Sequence, residues 1–173
     1  NALLIAQELN ALLPPEAIPA KTEGYEGFFH LDALSGTTAS AHMEYIIRDH
    51  DRTKFEEKKA LMERAAAQVG AAHPTARVEL TMKDSYYNMK EKLADCMHLV
   101  ENAKKAAQMA GLTPAVEPIR GGTDGARLSY MGLPCPNLGT GGYNFHGPLE
   151  LACVEEMDAV VEVLRHIVEL YSK

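Results

Sequence analysis

The apolar residues of the first 88 positions repeat with two different periods, in the order helix, strand, strand, helix, strand. No other feature of the chain limits its fold as strongly. Leu4, Ile5, Leu9, Leu12 and Leu13 share one helical face, and Pro14-Pro15 stops that run. The helix starts at the first position with no capping residue before it. Over 27–34, Phe29, Leu31 and Ala33 alternate with Phe28, His30 and Asp32, which predicts a strand closed by Ser35-Gly36. Met43, Tyr45 and Ile47 alternate with Glu44, Ile46 and Arg48, a second strand. Asp51 or Thr53 caps the next helix, and Thr53 with Glu56 forms a capping box. Phe55, Met62, Ala65, Ala66 and Val69 line its buried face as far as Gly70. After His73-Pro74, Val78, Leu80 and Met82 alternate with Arg77, Glu79, Thr81 and Lys83, the clearest strand pattern in the chain.

A split βαβ motif runs βαββαβ, so this order is that motif without its first strand. A sheet short of a strand leaves backbone groups unpaired, which invites pairing with another chain. With the uncapped first helix, this leads us to expect a truncated domain that self-associates through its open edge.

The second half changes character. Leu93, Met97, Val100, Ala103, Ala107 and Ala110 predict a helix of about five turns from Met89, ended by Gly111. A short strand over 115–119, a glycine-rich turn over 121–125, a helix over 125–131 and a buried strand end over 136–138 follow. The last helix carries a broad apolar stripe of Met157, Val160, Val161, Leu164, Ile167, Val168 and Tyr171. The fold class is therefore α/β: an α+β part, then an α/β layer. Two or three short strands cannot close such a layer, so this half also reads as cut from a larger domain. Neither internal repeats nor low-complexity segments occur.

Composition excludes several functions. A hydrophobic content of 46% supports a globular core, while no apolar run approaches a membrane span. No basic flank precedes the first apolar residues, so a signal peptide is not expected. A net charge of −7 argues against nucleic acid, whose phosphates require clustered Lys and Arg. Cys96, Cys135 and Cys153 are odd in number and form no CxxC pair, which fits a reducing cytoplasm.

Arg120 ends a predicted strand just before Gly121-Gly122-Thr123. Ligands bind at strand ends in open α/β sheets, glycines admit them close to the backbone, and a guanidinium grips a carboxylate with two parallel bonds. The alternative is a solvated side chain on a surface loop. His146 sits in a loop between Gly141-Gly142 and Gly147-Pro148, suited to a metal ligand or a general base. A structural or solvated imidazole is the competing reading, and spacing alone leaves both open. Pro148 argues against a helical metal pair of His146 with Glu150. His30, His42, His73, His98 and His166 read as surface or packing residues. Asn88, after the clear strand, carries an amide able to pair with a peptide group, or else simply turns the chain. The glycines match neither a P-loop nor GxGxxG, and no GxSxG elbow occurs.

Two stretches together carry a resemblance: Pro118-Ile119-Arg120-Gly121-Gly122-Thr123-Asp124-Gly125, and Gly141-Gly142-Tyr143-Asn144-Phe145-His146-Gly147. With 22–28, 45–49, 84–89 and 133–138, they resemble the peptidase T family of tripeptide aminopeptidases, in the two-zinc aminoacylase and carboxypeptidase superfamily. The likeness runs in order from the first helix to the last. It implies a ferredoxin-like lid over 1–88, lacking its first strand and carrying a homodimer contact. It implies the C-terminal part of a zinc-bearing catalytic domain over 89–173.

By resemblance, His146 is the last zinc ligand and Arg120 holds the C-terminal carboxylate of the tripeptide. Asn88 reaches the bound peptide from the lid, and Gly121, Gly122 and Thr123 complete the substrate turn. The resemblance further implies two zinc ions per intact enzyme and metal-assisted hydrolysis of the N-terminal peptide bond. The family's other zinc ligands, its bridging Asp, its Glu general base and a lid histidine have no counterpart in these 173 residues. The expectation is therefore a peptidase portion with no catalytic residue of its own, inactive alone. The alternative is a non-catalytic dimerisation or interaction module derived from the lid.

Overall fold

The structure, a computed structural model, describes residues 1–172. The chain forms two compact units, one of residues 1–88 with 118–120, the other of residues 89–117 with 121–173. Helices and small antiparallel sheets mix throughout, so the fold is α/β.

In the first unit, α1 spans Ala2–Ala11. Asn1 is its N-cap, accepting a hydrogen bond from the Leu3 amide at 3.1 Å. This corrects the expectation of an uncapped start: the first residue itself satisfies an orphan N–H of the first turn. Strands β1 (Phe28–Gly36) and β2 (Ala41–Arg48) pair as an antiparallel hairpin, from Phe28 opposite Arg48 to Gly36 opposite Ala41. A bulge between Leu31 and Ala33 breaks the alternation read from the sequence.

Helix α2 runs Arg52–Ala72. Its cap is Asp51, whose carboxylate accepts from the Lys54 amide at 2.9 Å. Thr53 lies inside the first turn, two positions past the cap, so the Thr53–Glu56 box does not form. Leu13, Phe29, Met62 and Ala65 make the core, with Leu9, Leu12, Ala17, Tyr45, Ile47 and Leu61 packed around it. Every one of the four elements thus contributes an apolar face.

Residues 77–83 are not a strand. Val78, Leu80 and Met82 nonetheless line one side of a cleft of about 560 Å³, opposite Glu63, Ala66, Ala67 and Gly70 of α2. Leu80 is 41% exposed, so the apolar side expected to face a core borders an open cleft instead. A ladder additionally needs a neighbouring backbone, and among the described residues none pairs with this segment.

In the second unit, the predicted five-turn helix is broken into α3 (Lys90–Leu93), a 3₁₀ turn (Ala94–Cys96) and α4 (His98–Met109). Gly111, at φ +78°, closes α4 as expected. The Leu112 amide reaches the Ala107 carbonyl and the Gly111 amide reaches Gln108, the double bond of a left-handed helix end. Helix α5 covers Asp124–Tyr130 and α6 covers Val154–Tyr171, the latter packed against α4. The strands expected at 115–119 and 136–138 do not form. In their place β3 (Gly142–Tyr143) and β4 (Leu151–Ala152) pair over two residues each. Strands within a layer need partners on their edges, and among the described residues these segments have none.

Candidate functional site

Two groups of candidate residues are built separately, one in each unit. In the first, a turn over 22–28 prepares the ground. Gly24 takes φ +53°, and the Glu23 amide donates to the Glu26 carboxylate at 2.9 Å. Gly27 then passes against Asp49, where a Cβ would lie 2.0 Å from the carboxylate. Only glycine allows that approach. Asp49 is nearly fully buried and binds the Lys58 ammonium at 2.8 Å, so the start of α2 is tied to the end of β2.

Arg120 lies on this turn. Its guanidinium donates to the Thr22 carbonyl and, at 2.5 Å, to the Thr22 hydroxyl. The same guanidinium stands 5.1 Å from the centroid of the Phe28 ring, within the range of a cation–π contact. Its backbone is held as well. Arg48 donates to the Arg120 carbonyl at 3.0 Å, and the His50 ring nitrogen lies 3.2 Å from the Ile119 carbonyl. Half-buried and fixed at both ends, Arg120 is not the freely solvated loop side chain of the competing reading.

Asn88 joins the same cluster through His50, donating from its amide to the His50 carbonyl at 3.2 Å. Thus the structure brings Asn88 and the 119–120 backbone onto one residue. His50, Thr22 and Phe28 were not singled out as site residues in the sequence. Thr22 and Phe28 bound the segment that resembles the family's lid opening, and that was the available signal. His50 carried none beyond following 45–49. Its ring also meets Tyr25 edge-on at 5.1 Å.

The rest of the sequence-predicted site belongs to the second unit. Gly121 and Gly122 are exposed. Thr123 caps α5, its hydroxyl accepting from the Ala126 amide at 3.2 Å and from the Asn137 amide at 3.3 Å. Its side chain therefore has a structural task in addition to any ligand contact. Gly125 packs where a Cβ would come within 2.6 Å of the Cys135 carbonyl.

His146 sits at the tip of the loop that β3 and β4 close. Asn144 and His146 both adopt positive φ, +54° and +64°, which is unusual outside glycine. Local bonds impose it: the Asn144 side chain donates to the Leu149 carbonyl at 3.2 Å, and the His146 amide donates to the Glu150 carboxylate at 2.7 Å. At the loop's base, Tyr143 donates to Glu156 at 2.7 Å, and this bond holds the phenol above its ordinary pKa. The imidazole is thereby exposed on a constrained loop.

Among the described residues no group of three or more His, Cys, Asp or Glu side chains gathers as a metal would require. Catalytic zinc needs about three protein ligands. His146 and its surroundings do not fit that ion by themselves.

No protein-family model matches this sequence. Individual relatives do. Peptidase T of Alkaliphilus oremlandii is 52% identical over 173 residues, all of this chain and 42% of that protein. Peptidase T of Clostridium novyi is 51% identical over the same length and share. Peptidase T of Escherichia fergusonii is 50% identical over 174 residues, 43% of its length. Along its whole length, the chain is homologous to peptidase T. It spans less than half the length of these relatives.

A crystal structure of a tripeptidase from Staphylococcus aureus superposes with a TM-score of 0.66 at 19% identity, covering 97% of this chain and 44% of that one. At that identity the likeness establishes the fold. No described helix is long and apolar enough to cross a membrane.

Proposed function

We propose that these residues form the C-terminal portion of a zinc-dependent tripeptide aminopeptidase of the cytoplasm, inactive until the remainder of the enzyme is present. The observation that carries this reading is about half identity to peptidase T over the full 173 residues. On this reading, residues 1–88 are the lid and carry a homodimer contact, and residues 89–173 are the returning part of the catalytic domain.

Arg120 binds the C-terminal carboxylate of a tripeptide. A guanidinium has five N–H donors, so two bonds to Thr22 orient the fork and leave others for a ligand. Thr22 and Phe28 thus hold the group in place before substrate arrives, which limits the entropy lost on binding. Asn88 pairs with the peptide group, and Gly121 and Gly122 let the substrate backbone approach. His146 supplies one metal ligand, the others lying outside these residues. Zinc held by the complete set would supply the Lewis acid that hydrolysis of the first peptide bond needs, with His146 as one of the residues that would hold it.

The test joins this chain to the unmatched portion of the Alkaliphilus relative and measures kcat/KM on tripeptides. Arg120→Ala is expected to lower it about 100-fold or more on free tripeptides, mainly through KM, the scale of a lost charged contact. It should change C-terminally amidated substrates little. Equal loss on both substrates removes the carboxylate role. An inactive joined protein with intact fold removes the peptidase reading.

A further inference from the structure

A single exposed aromatic side chain on a protein surface needs no explanation. Tyr25 is 67% exposed, yet its place in the first unit is set from two directions, and both lead to Arg120. Along the chain, Tyr25 stands three residues after Thr22, whose carbonyl and hydroxyl hold the Arg120 guanidinium. Three residues span at most about 11 Å even when fully extended, so Tyr25 is rooted within that distance of the guanidinium's partner. Through space, the Tyr25 ring meets the His50 ring edge-on, with centroids 5.1 Å apart. The His50 ring nitrogen in turn lies 3.2 Å from the Ile119 carbonyl, in the peptide unit that leads into Arg120. One aromatic ring is thus tied to the head of Arg120 by a turn and to its backbone by an imidazole.

That turn is itself fixed. Gly24 takes φ +53°, and the Glu23 amide donates to the Glu26 carboxylate at 2.9 Å, so Tyr25 is held from both sides along the chain. A tyrosine ring offers a large contact area at low cost in conformational entropy, since it turns about only two bonds.

His50 also joins the two groups that grip the peptide on the reading above. Asn88 donates to the His50 carbonyl at 3.2 Å, while the His50 ring stands against the 119–120 backbone. A peptide bound at its last amide by Asn88 and at its carboxylate by Arg120 therefore runs past His50. The carbon between that amide and that carboxylate bears the side chain of the third residue. This side chain leaves the peptide beside His50, where the Tyr25 ring stands. An aromatic group there covers the exposed ring and removes apolar surface from water, whereas a glycine leaves the ring solvated.

We propose that Tyr25 determines specificity for the third residue of a tripeptide, its ring, backed by His50, favouring an aromatic side chain at that position. This rests on the peptidase reading above, with Arg120 as the carboxylate anchor. A ring that served only to cover His50 would act on every substrate alike.

The experiment measures kcat/KM of the joined polypeptide on Ala-Ala-Phe and Ala-Ala-Gly. The wild type should favour Ala-Ala-Phe by about 3- to 10-fold, the scale of one aromatic pair. Tyr25→Ala should lower that ratio at least about threefold, while Tyr25→Phe, which keeps the ring, should hold the wild-type ratio. The ratio of Phe-Ala-Ala to Ala-Ala-Ala, which varies the first residue instead, should be the same in all three proteins. Because Tyr25 is exposed, thermal unfolding of Tyr25→Ala should match wild type. An unchanged Phe-to-Gly ratio in Tyr25→Ala overturns the proposal, as does a wild type without the preference. An equal shift in the first-residue ratio overturns it too, since the effect is then general to the site. Any of these results in a joined protein that hydrolyses tripeptides sinks this inference alone. An inactive joined protein sinks the peptidase reading and this inference with it.

Discussion

The two units contain comparable amounts of regular structure but bury it differently. In the first, α1, β1, β2 and α2 each contribute side chains to one contiguous cluster. In the second, the buried apolar residues are Leu93, Ala106, Ala126 and Val163, one on each of four separate helices. Large apolar residues such as Met131, Leu149 and Val168 remain exposed there. A helix closes its backbone hydrogen bonds within one segment, whereas a strand must find a partner. A unit assembled mostly from helices therefore keeps its elements while leaving its apolar faces uncovered.

The comparison breaks most visibly in the core. Met62→Ala should lower the stability of the chain by about 2–4 kcal/mol in urea unfolding, since it removes a buried side chain at the junction of α2 with the hairpin. Leu164→Ala, on the exposed face of α6, should stay within about 0.5 kcal/mol. Equal losses would mean that the second unit is packed as tightly as the first. A next smaller effect is expected at Gly27, where a Cβ meets both the Asp49 carboxylate and the Arg48 carbonyl at 2.6 Å or less. Gly27→Ala should cost about 1–3 kcal/mol by this overlap. Gly111→Ala has nothing within 4 Å and loses only the left-handed helix end, about 1 kcal/mol.

Capping sharpens the first unit further. Asp51→Ala should destabilise by about 1 kcal/mol, and Thr53→Ala by less than about 0.5. The reverse order would restore the capping box over the Asp51 cap.

The smallest effect concerns acid. Tyr87 and Lys59 donate to the Asp84 carboxylate at 2.6 Å and 3.0 Å, and these bonds lower its pKa. A group whose pKa falls on folding stabilises the fold above its unfolded value and stops doing so as pH falls through the folded one. Asp84→Asn should therefore weaken the chain slightly at neutral pH, and the gap from wild type should close below about pH 4. A gap that widens in acid would contradict the assignment. Lys59 is raised by the same bond, so its share is lost on the alkaline side.

Much of this was legible in the residues. The order of α1, β1, β2 and α2 followed from periodicity, and Gly111 closed α4 where its sequence position placed it. The α6 stripe was legible too, although only the structure separates it into a row beside α4 and a row in solvent. Asn1 as a cap was missed because a helix at the first residue offers nothing upstream to inspect. The bulge at Leu31 and Ala33 was missed because pattern reading assumes strict alternation. Arg120 and Asn88 were identified by motif resemblance, but the bond of Asn88 to His50 and those of Arg120 to Thr22 join positions 38 and 98 residues apart in sequence.

What the sequence determined alone was local: periods, caps, turns and the residue types able to grip a carboxylate or a metal. Those follow from neighbours within a few positions, where sterics and short hydrogen bonds dominate. Only the tertiary structure decided which extended segments became strands, which apolar faces found partners and how the Arg120 guanidinium is aimed. Each of those depends on a second piece of backbone or a ring brought close by folding. The alternation of Val78, Leu80 and Met82 predicts a strand facing a core, but a ladder requires a second stretch of backbone, and a single alternating segment supplies only one.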